Sequence, residues 1–208
     1  MQSFPRRLSF SLFIIPLLAG LSAGADLETA KRAYQTKDYA TAFKEATALA
    51  EQGIAEAQVL LGRMYLKGDG VLADSDQAAK WFKASAKQGH ADAQFFLGSL
   101  YLLPQKDVRE GVNWLHLSAE QGNQDAQYLL GKTYSQGVQG VPRDPVQAEM
   151  WLWLAAQNNL AFYQGELLSA ERQMTMDQMA HGRALAVAWK PKTGLKPDDQ
   201  HQADGKSR

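Results

Sequence analysis

A short unit that recurs four times along this chain limits its fold more than any other feature. Each copy opens with Asp and closes fifteen positions later with Gly or Asn, with Ala and aromatic residues at fixed places between them. The copies span residues 38–53, 74–89, 107–122 and 144–159. Only the linkers between them change in length, which is typical of a repeat array and not of one closed globule.

A second segment recurs just before each of the last three copies. It contains Ala-Gln, then Leu-Gly, then Tyr, and the tyrosines Tyr65, Tyr101 and Tyr134 are separated by 36 and 33 residues. A period in this range is the signature of a solenoid. The glutamines of this segment are Gln58, Gln94 and Gln127. Because they recur in every repeat, they predict a structural hydrogen bond, since a single active site would not repeat.

Each period predicts two helices. In the first, Ala57, Leu61, Met64 and Tyr65 follow the spacing that places them on one helical face. Gly62 lies beside that face, and a glycine there indicates close approach of another helix. The second helix begins at an Asp, which is a preferred N-cap, and ends at the closing Gly or Asn, while its Ala and Trp residues form the expected buried stripe.

These motifs resemble the Sel-one-like repeat family, a relative of the tetratricopeptide repeats. The segment IAEAQVLLGRMYLKGDGVLADSDQAAKWFKASAKQG matches the family pattern nearly throughout. The departures are a short second linker, Gly111 in place of Ala, Glu45 in place of an aromatic residue, and Asn159 in place of Gly. The resemblance implies an all-α, right-handed superhelical solenoid of helix-turn-helix repeats.

The sequence divides into seven segments on this interpretation. A leader is followed by an N-terminal capping helix pair, three repeats, two C-terminal capping helices and a disordered tail. Their predicted bounds are 1–25, 26–53, 54–89, 90–122, 123–159, 160–190 and 191–208. The tail is assigned as disordered because Leu195 is its one apolar side chain beyond Pro191.

The first 25 residues have the pattern of a secretory signal peptide. Arg6 and Arg7 precede a short apolar run that contains Pro16, and the run ends at Ala23-Gly24-Ala25. We expect cleavage after Ala25, a periplasmic or secreted location, and no membrane insertion after cleavage; an uncleaved N-terminal anchor is the alternative. The chain has no cysteine, so neither a disulfide nor an N-terminal lipid on cysteine is available.

Charge and motifs argue against most chemical functions. Removing the leader leaves 20 basic and 22 acidic residues, which offers no basic surface for nucleic acid. The four histidines are scattered without metal-ligand spacing, and Gly68 and Gly70 belong to a repeat linker, not to a dinucleotide-binding loop. We therefore expect no metal, no cofactor and no enzymatic activity. The resemblance raises one alternative, an envelope hydrolase of cell-wall or β-lactam substrates, because some cysteine-rich secreted family members are associated with β-lactams.

The remaining candidate is a binding surface on the first helix of each repeat. Stacked repeats would align a row of Val59, Phe95 and Tyr128 beside a row of Arg63, Ser99 and Lys132. These six residues predict a groove for a peptide or protein partner, in a non-catalytic scaffold of the cell envelope. The alternative is that they pack between adjacent repeats, since helical phase cannot separate the two.

Overall fold

The described chain is an all-α helical repeat solenoid, with residues 27–103, 107–157 and 161–197 described in a computed structural model. These ranges contain ten helices and no strand beyond an isolated bridge between Val138 and Val141. The helices are α1 (27–35), α2 (Tyr39–Glu51), α3 (Ala55–Lys67), α4 (Ser75–Ala86), α5 (Ala91–Tyr101), α6 (Val108–Glu120), α7 (Gln124–Gln136), α8 (Pro145–Ala156), α9 (Ala161–Glu171) and α10 (Met176–Ala188). None of those described combines the length and apolarity that crossing a bilayer requires.

The predicted capping residues define the ends of the helices. The Asp74 Oδ1 atom accepts hydrogen bonds from the backbone N–H groups of Asp76 and Gln77, both at 2.9 Å, at the start of α4. Asp38, Asp107 and Asp144 cap α2, α6 and α8 in the same way. The closing glycines Gly53, Gly89 and Gly122 adopt φ of +88°, +91° and +88°, a conformation that favours glycine. Asn159 lies outside the described residues.

Within each repeat the two helices meet at the glycine of the Leu-Gly pair. A Cβ atom on Gly62 would lie 2.7 Å from a ring carbon of Phe82, so only glycine leaves room for that ring. Leu115 occupies the same place over Gly98, and Leu152 over Gly131, each with its Cγ at 2.8 Å from the position of a Cβ. The three inserted side chains are at most 1% exposed. They form the centre of each repeat.

The tryptophan stripe is buried in two of the three repeats. Trp114 and Trp151 are 6% and 2% exposed, whereas Trp81 is only half-buried and Phe82 next to it is completely buried. The expectation that Trp81 belongs to a buried stripe is therefore wrong for the first repeat. In all three repeats the residue after the tryptophan takes the central position over the glycine, as Phe82 does over Gly62, so the tryptophan lies beside this contact and not at its centre.

The recurring glutamines form the hydrogen bonds that their repetition predicted. The side-chain amides of Gln58, Gln94 and Gln127 donate to the carbonyls of Ala50, Ala86 and Ala119, at 3.1, 3.2 and 3.2 Å. Each of these carbonyls belongs to the last turn of the preceding helix and also accepts from the backbone N–H of the closing glycine, at 2.9 to 3.0 Å. The glutamines therefore tie each repeat to the one before it while satisfying buried polar groups.

The two C-terminal helices dock on the last repeat through a charged contact. Glu149 on α8 is 0% exposed, and its Oε1 accepts from the Arg183 Nε on α10 at 2.8 Å. The same guanidinium contacts Glu171 on α9. Gly182 permits the approach, because a Cβ there would lie 2.5 Å from the Glu149 Cβ. Arg183 thus joins α8, α9 and α10.

The prediction of a disordered tail is wrong for residues 191–197. This C-terminal segment turns back along the array and lies over the ends of α6 and α4, with Lys192 N bonded to Glu120 O at 2.8 Å. Leu195 packs against the buried residues of α3 to α6. Three hydrogen bonds and one apolar contact hold a segment that composition alone presents as polar. The rest of the predicted tail lies outside the described residues.

We predict that Gly98→Ala destabilises the fold although alanine is the better helix former. A Cβ at this position would lie 2.8 Å from the Gly111 backbone oxygen. Overpacking of this kind costs about 1–3 kcal/mol, which outweighs the gain of about 1 kcal/mol in helix propensity. Urea unfolding of both proteins measures the difference.

Gly165→Ala is the matched control, because Gly165 also lies in a helix and has nothing within 4 Å of its Cβ position. Propensity alone acts there, so this variant should be more stable than the parent by up to about 1 kcal/mol. Equal stability of the Gly98 and Gly165 variants would contradict the close helix contact.

Candidate interaction surface

The first helices of successive repeats lie beside one another. In the N-terminal half of the array, Arg63 lies between the helices on either side of α3. The Arg63 guanidinium carbon on α3 is 5.8 Å from the centre of the Tyr34 ring on α1 and 6.0 Å from that of Phe96 on α5. Both distances fit cation–π contacts. Arg63 is only partly exposed, so its charge is held between two aromatic rings at the surface.

Phe95 and Ser99 lie on α5, one repeat further along. The Phe95 ring is half-buried against the cluster that contains Val112 and Leu130, and its centre is 5.2 Å from that of Phe96. The Ser99 hydroxyl donates to the Phe95 carbonyl at 2.8 Å. Phe95 therefore combines the two roles left open by the sequence: part of its ring packs between repeats, and part remains at the surface.

The third predicted pair, Tyr128 and Lys132, is close to helix α9. The Tyr128 ring centre is 5.1 Å from that of Phe162 and 5.2 Å from that of Tyr163. The Tyr163 hydroxyl donates to Asp125 on α7, and this contact together with burial raises the pKa of Tyr163 to about 12. Lys132 Nζ is 5.8 Å from the Tyr128 ring centre. Helix α9 thus covers much of this end of the surface.

A polar cavity of about 270 Å³ lies where α7, α8 and α9 meet. Its lining brings together the cations Lys132 and Arg143 with Glu166 and several hydroxyl and amide groups. Lys132, one of the predicted surface residues, therefore lines a cavity together with a second cation, Arg143, and a carboxylate, Glu166.

Val59 is not available as a surface anchor. It is 8% exposed and packs in a buried cluster with Ala78, Phe82 and Trp114. The prediction that it forms part of a groove is therefore wrong, and the alternative of packing between repeats holds at this position. Arg63 and Phe96, not Val59, present the side chains at this part of the first helices.

The aromatic partners of Arg63 were not among the residues predicted from the sequence. Phe96 occupies the position that is Leu60 and Leu129 in the neighbouring repeats, and its ring stacks on Phe82 with centres 4.9 Å apart. An aromatic residue where the other copies have leucine was a visible signal. Tyr34 lies on α1, which lacks the Ala-Gln and Leu-Gly pairs that align the other first helices with one another.

The surroundings of His116 indicate a packing role. His116 lies within hydrogen-bonding distance of Tyr134, with Nε2 and the hydroxyl oxygen 2.7 Å apart, and its ring packs edge-on against Trp151. Burial lowers the pKa of His116 to about 4, although the charge of Glu120 opposes the shift. Across the described ranges, no cluster of three or more His, Cys, Asp or Glu side chains has an arrangement suited to a metal ion.

Helix pairs stacked in series around glycine contacts define a helical repeat protein that belongs to the Sel1 repeat family. The Sel1 repeat matches residues 55–90, 91–123 and 124–160, which together make up half of the chain. Proteins of this family are generally scaffolds for protein–protein interactions. No curated protein matches the sequence.

Two solved structures with this fold are similar to the chain. One is c5321, a protective antigen of uropathogenic Escherichia coli, with 27% identity and a TM-score of 0.70 over 80% of this chain. The other is a Sel1 repeat protein from Oxalobacter formigenes, with 29% identity and a TM-score of 0.62 over 68% of this chain. The alignments cover 38% and 59% of those two proteins.

We predict that His116 makes stability depend on pH between about 6.5 and about 4. The unfolded chain takes up a proton on this residue near pH 6.5, whereas the folded protein does so only near pH 4. The contribution of His116 to the free energy of unfolding therefore falls by about 3 kcal/mol in total as the pH drops through this window. Below the window this contribution changes no further. Urea unfolding at a series of pH values measures the slope.

His116→Gln removes the titrating group and should flatten the curve in this window. His181→Gln, at an exposed position of α10, is the matched control and should leave the slope in place. An unchanged slope in the His116 variant would show that other groups cause the dependence.

Proposed function

We propose that this protein is a non-catalytic interaction module of the cell envelope that binds a peptide or protein segment along its first helices. The part of this surface that we assign to the partner consists of Tyr34, Arg63, Phe95, Phe96 and Ser99. The observation that carries the proposal is the arrangement of Arg63 between two aromatic rings. Arginine and aromatic side chains are the residues that contribute most to binding at protein interfaces.

Position along the array supports the choice of this part of the surface. Tyr128 lies against Phe162 and Tyr163, so a partner would have to displace α9 to reach its ring. Arg63 and Phe96 are both partly exposed, so a partner can reach them without such a displacement. The rings around Arg63 are already packed on one side, by Phe82 beneath Phe96, and this reduces the entropy lost when a partner binds.

The envelope location rests on the leader sequence, which lies outside the described residues. Two arginines, a short apolar run and a small-residue site are what a signal peptidase recognises. The absence of cysteine is compatible with export, because folding then needs no disulfide. We propose cleavage after Ala25, two residues before the first described helix.

Site-specific photo-crosslinking tests the binding surface. A benzophenone amino acid at position 99 should crosslink to one partner band, because Ser99 lies on the proposed surface and its replacement leaves Arg63 in place. The same group at Lys44 on α2, whose side chain is 82% exposed, is the matched control and should give none. The reverse pattern would place the partner on the second helices.

Charge reversal then measures the contribution of the arginine. Arg63→Glu should weaken partner binding by about tenfold or more, whereas Lys44→Glu should leave binding unchanged. Thermal melting of both variants checks that the fold is retained. Equal binding by the two variants would rule out Arg63 as an anchor.

The N-terminal sequence of the mature protein tests export. Expression of the full gene product in a Gram-negative bacterium should give a periplasmic form that starts at Asp26. Arg6→Glu together with Arg7→Glu should slow this processing, because the positive n-region is lost. A membrane-bound product that retains residue 1 would support the uncleaved anchor instead.

A further inference from the structure

The C-terminal segment, residues 191–197, contacts the array as a bound peptide does. The Gly194 N–H donates to Gln121 Oε1 at 2.7 Å, and the next carbonyl, that of Leu195, accepts from Gln94 Nε2 at 2.6 Å. The two glutamines are themselves joined, with Gln121 Nε2 donating to Gln94 Oε1 at 2.7 Å. A pair of fixed side-chain amides therefore recognises one N–H and one C=O of the segment's backbone.

Three individual residues of the segment, Lys192, Gly194 and Leu195, make further contacts with the array. Lys192 Nζ forms an ion pair with Glu120 Oε2 at 2.9 Å. Gly194 adopts φ of +64°, and its carbonyl lies 2.7 Å from where a Cβ on Gly89 would be. Leu195 packs against the buried cluster that includes Ala93 and Leu97. A larger residue at 194 would be strained at this φ, and a side chain at position 89 would collide with the Gly194 carbonyl, so the site favours the order Lys-x-Gly-Leu.

The segment also follows the repeat spacing. Pro191 lies 3.6 Å from the Cβ position of Gly122, and Gly194 covers Gly89, the equivalent glycine one repeat earlier. Three residues of chain reach about 10 Å, close to the distance between packed helices. The third equivalent glycine, Gly53, has no atom of the described residues within 4 Å of its Cβ position.

One charge distinguishes the occupied position from its neighbour. At the repeat junction that the C-terminal segment occupies, Glu120 precedes the Gln-Gly pair. At the equivalent place one repeat earlier, Lys87 precedes it. A lysine of the segment would meet like charge there. The glutamine pair recurs, with Gln88 Nε2 donating to Gln58 Oε1 at 2.9 Å, so the backbone recognition is common to both junctions and the charge sets the register.

We propose that Gly89, Gln94, Glu120 and Gln121 form a peptide-binding site that the chain's own C-terminal segment occupies, and that a partner carrying Lys-x-Gly-Leu, with the glycine in the same left-handed conformation, competes for it. This helix-end site is separate from the first-helix surface and does not depend on the function proposed there. Displacement is feasible because residues 191–194 are exposed and form few contacts, so they can detach without unfolding the array.

The test uses the full-length chain with its internal segment disabled. Gly194→Val together with Leu195→Asp should open the site, and a synthetic peptide of residues 190–197 is the probe. In an NMR titration, the peptide should shift the side-chain amide signals of Gln94 and Gln121 in this variant to saturation. The wild-type protein should respond at least about tenfold more weakly, because its site is filled at high effective concentration.

Matched controls define the recognition. Thr193→Ala, at an exposed position of the segment, should behave as wild type. A peptide with Val in place of Gly194 should not bind the opened variant, and adding Gln121→Ala to that variant should weaken peptide binding by about tenfold. Absence of binding to a folded opened variant, or equal binding to the wild type, would overturn the proposal.

Hydrogen exchange on the wild type gives a second readout that does not depend on a variant folding. The amides of Lys192 and Gly194 should be protected, but less than those of α6, as expected of a segment that detaches locally. Exchange at the rate of free peptide would overturn the proposal. A dimer that forms with concentration and disappears in the opened variant would assign the occupant to a second copy, and would overturn the assignment to a partner.

Discussion

The structure depends on one contact that each repeat makes once: a large side chain of the second helix seated on a glycine of the first. Phe82 on Gly62, Leu115 on Gly98 and Leu152 on Gly131 bring the helix backbones close together. The second repeat goes further, because Gly111 faces Gly98 and the position of a Cβ on either glycine is within 3 Å of the other's carbonyl oxygen. Gly111, a departure from the family pattern, therefore has a steric reason.

Close packing of helix pairs creates a second requirement, which the glutamines meet. Each junction brings polar helix ends together, and Gln58, Gln94 and Gln127 bind a carbonyl of the preceding helix across it. At one junction Gln94 also donates to the carbonyl of Leu195, and Gln121, which donates to Gln94, accepts from the N–H of Gly194. The C-terminal segment is therefore held by side chains that also join the repeats.

The sequence predicted the parts of the fold that repeat and missed the parts that occur once. Helix caps, the solenoid and the glutamine hydrogen bonds followed from position and recurrence, and all are confirmed. Adjacent side chains such as Trp81 and Phe82 could not be ranked, because helical phase does not resolve neighbours on one face. The burial of Glu149 could not be predicted from the sequence, since only the position of Arg183 in the fold reveals its partner. The burial of Val59 and the contacts of Tyr128 with α9 depend on neighbours that the sequence does not give.

The C-terminal region contacts three surfaces of the array. Helix α10 covers α8 at the buried Glu149. Burial raises the pKa of Glu149, and Arg183 opposes this shift. Loss of Arg183 would therefore leave the Glu149 carboxylate buried without a compensating charge. Helix α9 covers Tyr128 on the first helices. The C-terminal segment covers the edge at Gly89 and Gly122. For the binding function that we propose, α9 lies over Tyr128. The partly exposed Arg63, held between its two rings in the first half of the array, is then the part of the first helices that remains for a partner.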